Sequence, residues 1–285
     1  MPRETDRIAP VLKRLSRARI ERDVRYLSTA FPTRHTLSPH ADRAAEWLRK
    51  QMGDAGLRQP RFHYYTKAGK RLRNVLADLP GKSPQTILVC AHYDSRMEDL
   101  DDARSPAPGA NDNATGVAVL LEVARALKTV PLKTSLHFVL FSGEEQGLWG
   151  SEAYAPELKA QKTNLKFVFN LDQIGYPPPD RAIHVDRDEG GKRENNAASA
   201  ALVGRVQQIA RGLRIPTRVD PAYGSDYIPF EQQGYTITGL YEAGKDYPQY
   251  HSTRDTADRV DFAYVFEMAR LATAVLLSEG GMIEE

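Results

Sequence analysis

Thr86-Ile87-Leu88-Val89-Cys90-Ala91-His92-Tyr93-Asp94 joins an uncharged, mostly apolar run to a histidine and an acid two residues apart. The run has the length and residue types of a strand. Working outward, the pattern recurs as helix 114–127, strand 135–141, helix 151–160 and strand 166–172. Strands separated by helix-length segments need crossover connections, which makes a mainly parallel sheet. The expected fold class is therefore α/β, a mixed and mainly parallel sheet sandwiched by helices.

The flanking segments fill in around this centre. Residues 8–28 and 41–52 have helical spacing, the second ending at Gly53 and Gly56. Residues 61–66 and 71–79 read as strands about a turn at Ala68-Gly69-Lys70. Later come a strand at 181–186, a helix near 197–212, a strand at 236–242 and a terminal helix at 261–279. Phe262, Val265, Phe266, Leu271, Val275 and Leu276 make that last helix apolar on most sides, so it is expected to pack on the sheet. The polar or Pro/Gly-rich loops at 95–111 and 187–197 are shorter than a domain. One domain over residues 1–285 is expected, with the helical segment 1–28 packed on it.

Composition narrows the partners. With 41% hydrophobic residues a core is easily built, and 39 basic against 37 acidic side chains leave no net field for nucleic acid. Arg3, Arg7, Lys13, Arg14, Arg17, Arg19, Arg22 and Arg25 interleave with Ile8, Val11, Leu12, Leu15 and Ile20. That spacing gives the solvated face of an amphipathic helix, with a binding surface as the alternative. Cys90 is the only cysteine, which excludes an intrachain disulfide and a thiolate zinc site; within its strand it is expected to be buried and inert. No apolar run has the length of a membrane span, and no signal-peptide core is visible near Met1.

Several polar residues stand at or near the ends of the apolar runs. His92 and Asp94 follow Thr86–Ala91, and residues two apart in an extended chain face the same side, so the acid can orient the ring. Glu144-Glu145 follows the strand at 135–141, with Gly143 permitting a turn. One such glutamate can bind a metal while the other takes a proton from water, although acids at a helix start are also favoured by the dipole. Asp172 closes an apolar strand and needs a partner there. His251 lies in the loop after 236–242, and Asp112 lies in Gly109-Ala110-Asn111-Asp112-Asn113-Ala114-Thr115-Gly116, where a helix pattern begins. Each has an ordinary reading alone, as a surface pair or a helix cap. Jointly they offer nitrogen and oxygen ligands without thiolates, a donor set suited to a hydrolytic zinc pair with Asp112 as the shared ligand.

In order and local wording, these pieces resemble the co-catalytic zinc aminopeptidases, a family of zinc exopeptidases that includes bacterial leucyl aminopeptidases and, more distantly, glutaminyl cyclases. The matching segments are Ala91–Ser95, Gly109–Gly116, Phe141–Ser151, Asn170–Asp172, Ser225–Phe230 and Tyr250–Thr256. The resemblance runs from about residue 20 to the terminal helix.

The resemblance implies two Zn2+ per chain, one on His92 and Asp172 and the other on Glu145 and His251, bridged by Asp112. It implies Asp94 as the outer partner of His92, and Glu144 as the general base that takes a proton from the bridging water and passes it to the leaving amine. It also implies oxyanion stabilisation by Tyr250 and a cis peptide bond at Asp112-Asn113. Tyr227 stands where many relatives place a histidine. Tyr223, Tyr227, Ile228 and Phe230 then suggest an apolar wall for a substrate side chain, with packing beneath a loop as the alternative. His35, His40, His63, His137 and His184 match no ligand position.

The expected activity is removal of an N-terminal, apolar residue from peptides with a free N-terminus. The alternatives are glutaminyl cyclisation, or a carboxypeptidase- or aminoacylase-like hydrolysis on the same centre. No nucleic-acid or membrane partner is expected. The family resemblance also suggests an exported mature form, and a monomer is the simpler expectation.

Overall fold

The computed structural model describes residues 4–191, 193–243 and 247–283; Arg3 and Lys192 lie outside them. At the N-terminus the single helix expected over 8–28 is two, α1 (Glu4–Leu12) and α2 (Arg17–Ala30). The break has a clear cause. The Ser16 side chain accepts the N–H of Arg19 as a helix cap, while its own N–H donates to Glu122 Oε1 at 2.6 Å. Arg19 also pairs with the buried Glu122, and Arg25 reaches Glu21 and Asp258. These basic residues are thus matched by acids of the same chain. Helix α3 (Pro39–Asp54) is capped by Ser38, runs through Gly53, and gives way at Gly56, whose φ is 91°.

Strands β1 (Arg58–Lys67) and β2 (Lys70–Leu79) form the expected hairpin. Its two turn residues, Ala68 and Gly69, both have positive φ, as the tight hairpin turn that matches strand twist requires. Strand β3 (Thr86–His92) leads through a kinked turn at Ala110–Ala114 into α4 (Thr115–Leu127). Next come β4 (Ser135–Phe141), α5 (Trp149–Ala160), β5 (Leu165–Leu171), β6 (Ile183–Arg187) and α6 (Arg193–Leu213). The chain ends with β7 (Thr217–Pro221), the short α7 (Ile228–Gln232), β8 (Ile237–Tyr241) and α8 (Phe262–Gly280). Strand β7 and helix α7 were not anticipated: β7 (Thr-Arg-Val-Asp-Pro) is mostly polar and only partly buried, and the five residues of α7 span too little of the helical period to register.

All eight strands join one sheet in the order β1-β2-β4-β3-β5-β8-β6-β7. The four central strands β4, β3, β5 and β8 run parallel, as do β6 and β7; β1 and β2 are antiparallel additions, and β6 runs antiparallel to β8. The mixed, mainly parallel α/β fold expected from the alternating pattern is the one observed.

The central strands are buried on both faces, so they read as continuous apolar runs. Ile87, Val89 and Ala91 of β3 face one core with α4 and α8, while Leu88 and Cys90 face a second core with residues of α5 and α7. Helix α4 is buried along almost its whole length, and α8 packs on it with α1 and α2. Cys90 is a buried free thiol, its Sγ directed at Asn170 Oδ1, as expected of a core cysteine. Strand β3 lies between β4 and β5, so the connections that follow it diverge to either side. Ligand sites in open parallel sheets form beyond the carboxyl ends of strands at such a point.

Candidate metal centre

The sheet delivers the candidate residues to that edge. His92 is the last residue of β3, Asp172 follows β5, and Glu144-Glu145 lie in the turn after β4, where Gly143 has a φ of 78°. His251 enters from the loop after β8 with its own φ at 51°. Asp112 arrives from the kinked turn, where the Asp112-Asn113 bond is cis, as the resemblance implies. Two glycines allow that turn to come so close. A Cβ at Gly109 would sit 2.3 Å from Asp112 O, and one at Gly116 would sit 2.4 Å from Leu171 O.

The side chains meet in two groups that share one member. His92 Nε2 lies 3.2 Å from Asp112 Oδ1 and 3.1 Å from Asp172 Oδ1. His251 Nε2 lies 3.1 Å from Asp112 Oδ2 and 2.9 Å from Glu145 Oε2. The two oxygens of Asp112 therefore face different histidines. All five residues are buried, and His92-Asp112-Asp172 and Asp112-Glu145-His251 each have the proximity needed to hold an ion.

Four features fit this cluster to metal. Asp112 Oδ1, in the group with His92, and His251 Nε2, in the group with Glu145, are buried without a hydrogen-bond partner despite these short approaches, as expected of lone pairs aimed at ions. Tetrahedral zinc with ligands at about 2.0–2.1 Å sets ligand atoms about 3.3 Å apart, close to the spacings observed. Burial lowers the pKa of both histidines, yet their acidic neighbours outweigh it, raising His251 to about 9 and His92 well above its ordinary value. A field that favours a proton there also favours a cation. The donors are imidazole and carboxylate alone, a set suited to zinc.

Asp94 is fully buried beside His92, its Oδ1 3.6 Å from Nδ1, too far for a hydrogen bond. It also has a task not anticipated: its oxygens accept the backbone N–H groups of Glu144 and Glu145 at 3.4 and 3.2 Å. The strand-end acid thus sets the turn that carries both glutamates. Burial pushes Glu144 well above its ordinary pKa; nearby Glu145 and Asp172 add to this while His92 opposes it.

A cavity of about 310 Å³ opens onto the cluster, lined by His92, Asp112, Glu144 and Asp172 and walled by Gln173, Tyr223, Gly224, Tyr241 and Tyr250. Tyr223 and Tyr241 pack with ring centres 4.3 Å apart, and the half-exposed Tyr250 stacks on His251 at 3.5 Å. Of the apolar wall expected from sequence, only Tyr223 lines this cavity. Tyr227 and Phe230 are fully buried in the core against α5, and Ile228 packs on the same core. Residues of α7 serve the sheet face because the apolar side of so short a helix has no other place to be buried.

Sequence reasoning also missed residues that support the cluster. Arg96 donates from Nε to Glu145 Oε2 at 2.9 Å, and Gln173 donates to Asp112 Oδ2 at 3.2 Å. Asp255 accepts the backbone N–H groups of Asn111 and Asp112. Arg34, fully buried, donates to the carbonyls of Tyr93, Pro108 and Gly109, tying together the loops before and after Asp94. Of these, Gln173 directly follows Asp172 and Asp255 lies four residues after His251, but neither position by itself signals the contact it makes. The other histidines lie outside the cluster. His137 bonds Asp78 and Tyr154, His184 pairs with Asp220, His63 contacts Asn74 and Glu157, and His35 contacts Leu100 O.

Fold and cluster define a class: α/β proteins with a nitrogen- and oxygen-ligand metal centre at the C-terminal ends of parallel strands. Residues 74–276 match the sequence model of peptidase family M28, and the chain belongs to that family. It is similar to a probable zinc metalloprotease of Pyrenophora tritici-repentis, at 27% identity over 94% of this chain and 75% of the relative. A probable leucine aminopeptidase 1 of Trichophyton verrucosum is 29% identical over the same shares. Among solved structures, LapB of Legionella pneumophila shares the fold with a TM-score of 0.81 at 22% identity, covering 96% of this chain and 75% of that one. A glutaminyl cyclase of Fimbriiglobus ruber shares it with a TM-score of 0.76 at 20% identity, covering 92% and 94%.

Proposed function

We propose that this chain is a zinc aminopeptidase with two zinc positions, one on His92 and Asp172, one on Glu145 and His251, and Asp112 common to both. The observation that carries the reading is the division of Asp112, whose two oxygens face two separate histidines. When bound, zinc in such a site lowers the pKa of water toward about 7 and polarises a carbonyl. The remaining chemistry belongs to the protein. Glu144 lines the cavity beside the cluster, its backbone held by Asp94, so its carboxylate is placed to take a proton from the attacking water. The same carboxyl then returns that proton to the departing amine, a step commonly worth a factor of about 10²–10⁴. Tyr250 lines the cavity beside His251 and offers its hydroxyl to the developing oxyanion.

The substrates on this reading are peptides with a free N-terminus. The cavity has room for one terminal residue, and Tyr223, Gly224 and Tyr241 give it an aromatic wall suited to an apolar side chain. Glutaminyl cyclisation is the second reading, favoured by the shared fold with a cyclase. A panel of aminoacyl, N-acetylated and N-terminal glutaminyl peptides, assayed with and without chelator, separates the two. Chelator-sensitive release of a free apolar amino acid is expected. Pyroglutamate formed from the glutaminyl peptide, with no hydrolysis of the others, would replace this reading with the second.

A further inference from the structure

Gln173 brings an amide to the cavity wall that neither the ligand set nor the base accounts for. It follows Asp172 directly, and its φ of 46° lies in the left-handed region that long side chains seldom occupy. Both backbone groups hold it there: its N–H donates to Asn113 Oδ1 at 3.3 Å and its carbonyl accepts from Glu242 N at 3.0 Å. An uncommon conformation fixed from both sides at a site is a reason to ask what the side chain does. This side chain lies nearly buried against Asp112, with Nε2 donating to Oδ2 at 3.2 Å.

That contact fixes which way the amide points. An ionised carboxylate oxygen only accepts, so the NH₂ end must face Asp112 and the carbonyl end must face away. Gln173 Oε1 takes no hydrogen bond from any described residue. The cavity wall therefore holds a neutral, directional acceptor next to the shared carboxylate.

We propose that Gln173 Oε1 receives the free α-amino group of the substrate and so helps select an amino terminus over a blocked one. The inference rests on the aminopeptidase reading and deepens it. The competing carboxylates in the cavity are Asp112, Asp172 and Glu144. The first two are committed to the ligand cluster. Glu144 is assigned to the attacking water on the aminopeptidase reading. The amide oxygen of Gln173 is the acceptor left without such a task. Among the described residues no lysine or arginine lines the cavity to compete for Oε1.

The test compares two non-hydrolysable inhibitors that differ by one amino group, leucinol and 4-methylpentan-1-ol, on the zinc-loaded protein and on Gln173→Met. A hydrogen bond to a charged group corresponds to about tenfold to hundredfold in affinity. The unsubstituted protein is expected to prefer leucinol. Gln173→Met should cut that preference about tenfold through leucinol alone, with zinc content and melting temperature retained. An unchanged preference overturns the proposal, as does equal weakening of both alcohols or loss of zinc, each of which makes Gln173 a support for Asp112 only. Failure of the underlying reading looks different: the unsubstituted protein would bind both alcohols alike and cleave an N-acetylated peptide as fast as its free counterpart.

Discussion

Asp255 Oδ2 accepts the backbone N–H of Asp112 at 3.0 Å, so the loop that supplies His251 also holds the residue His251 faces. Its other oxygen accepts from Asn111 N at 2.8 Å and from the Tyr247 hydroxyl at 2.6 Å. One buried side chain thereby sets the distance between two parts of the centre that are far apart in sequence.

Replacing Asp255 with Asn keeps the shape but turns a donor toward backbone N–H groups that also donate. Partners behind metal ligands commonly contribute 10–100-fold in affinity. Asp255→Asn is expected to weaken zinc binding by about that factor, measured by competition with a chromophoric chelator. Zinc affinity equal to that of the unsubstituted protein would show that the kinked turn holds Asp112 without help.

Glu144→Gln removes the proton acceptor without removing a proposed ligand. Turnover should fall by about 10²–10⁴-fold while zinc content stays constant. Elemental analysis alongside steady-state kinetics checks both halves. Activity near that of the unsubstituted protein would place the base elsewhere.

The parts legible in sequence were those whose signal is local. His92, Glu144, Glu145 and Asp172 stand at or just beyond strand ends, so a short apolar run announces each one. Asp112 is marked by flanking glycines that the close packing of its turn requires. What stayed hidden acts across long separations: Ser16 and Glu122 are 106 residues apart, Arg96 and Glu145 49, and Gln173 and Asp112 61. A contact of this kind leaves no periodicity. The error at Tyr227, Ile228 and Phe230 has the same root, because apolarity says that a side chain is buried without saying in which place. Tyr241 shows the converse, a strand's last residue that borders the cavity while reading as ordinary core.

Acid sensitivity should appear at Glu279, remote from the centre. Burial pushes its carboxyl pKa up, but Arg205 at 2.6 Å and Lys166 at 2.8 Å outweigh burial and hold it below the ordinary value. A carboxylate with a lowered folded-state pKa stabilises the fold above its unfolded pKa, and that contribution disappears as pH falls through the folded value. Arg205 is half exposed, so the pair is worth only about 1 kcal/mol. Glu279→Gln should therefore lower stability at pH 7, with the deficit smaller at pH 3. Urea unfolding at the two pH values tests this; a deficit undiminished in acid would point to lost packing instead.

Removing metal should destabilise the fold as well as stop catalysis. Asp94, Asp112, Glu145 and Asp172 are buried about His92 and His251 at one sheet edge, where Arg96 pairs with Glu145. Charges buried in this density repel unless cations are supplied. A ligand held only by the folded state, free at a thousandfold above its dissociation constant, stabilises by about 4 kcal/mol per site. For a chain of this size that corresponds to roughly 7 °C in melting temperature per site. Chelation should lower the melting temperature by at least this amount, and zinc should restore it. Asp112→Asn should reduce the gap between chelated and loaded protein more than Glu145→Gln does, because Asp112 faces both histidines and Glu145 one. Equal reductions from the two substitutions would mean that Asp112 serves a single ion.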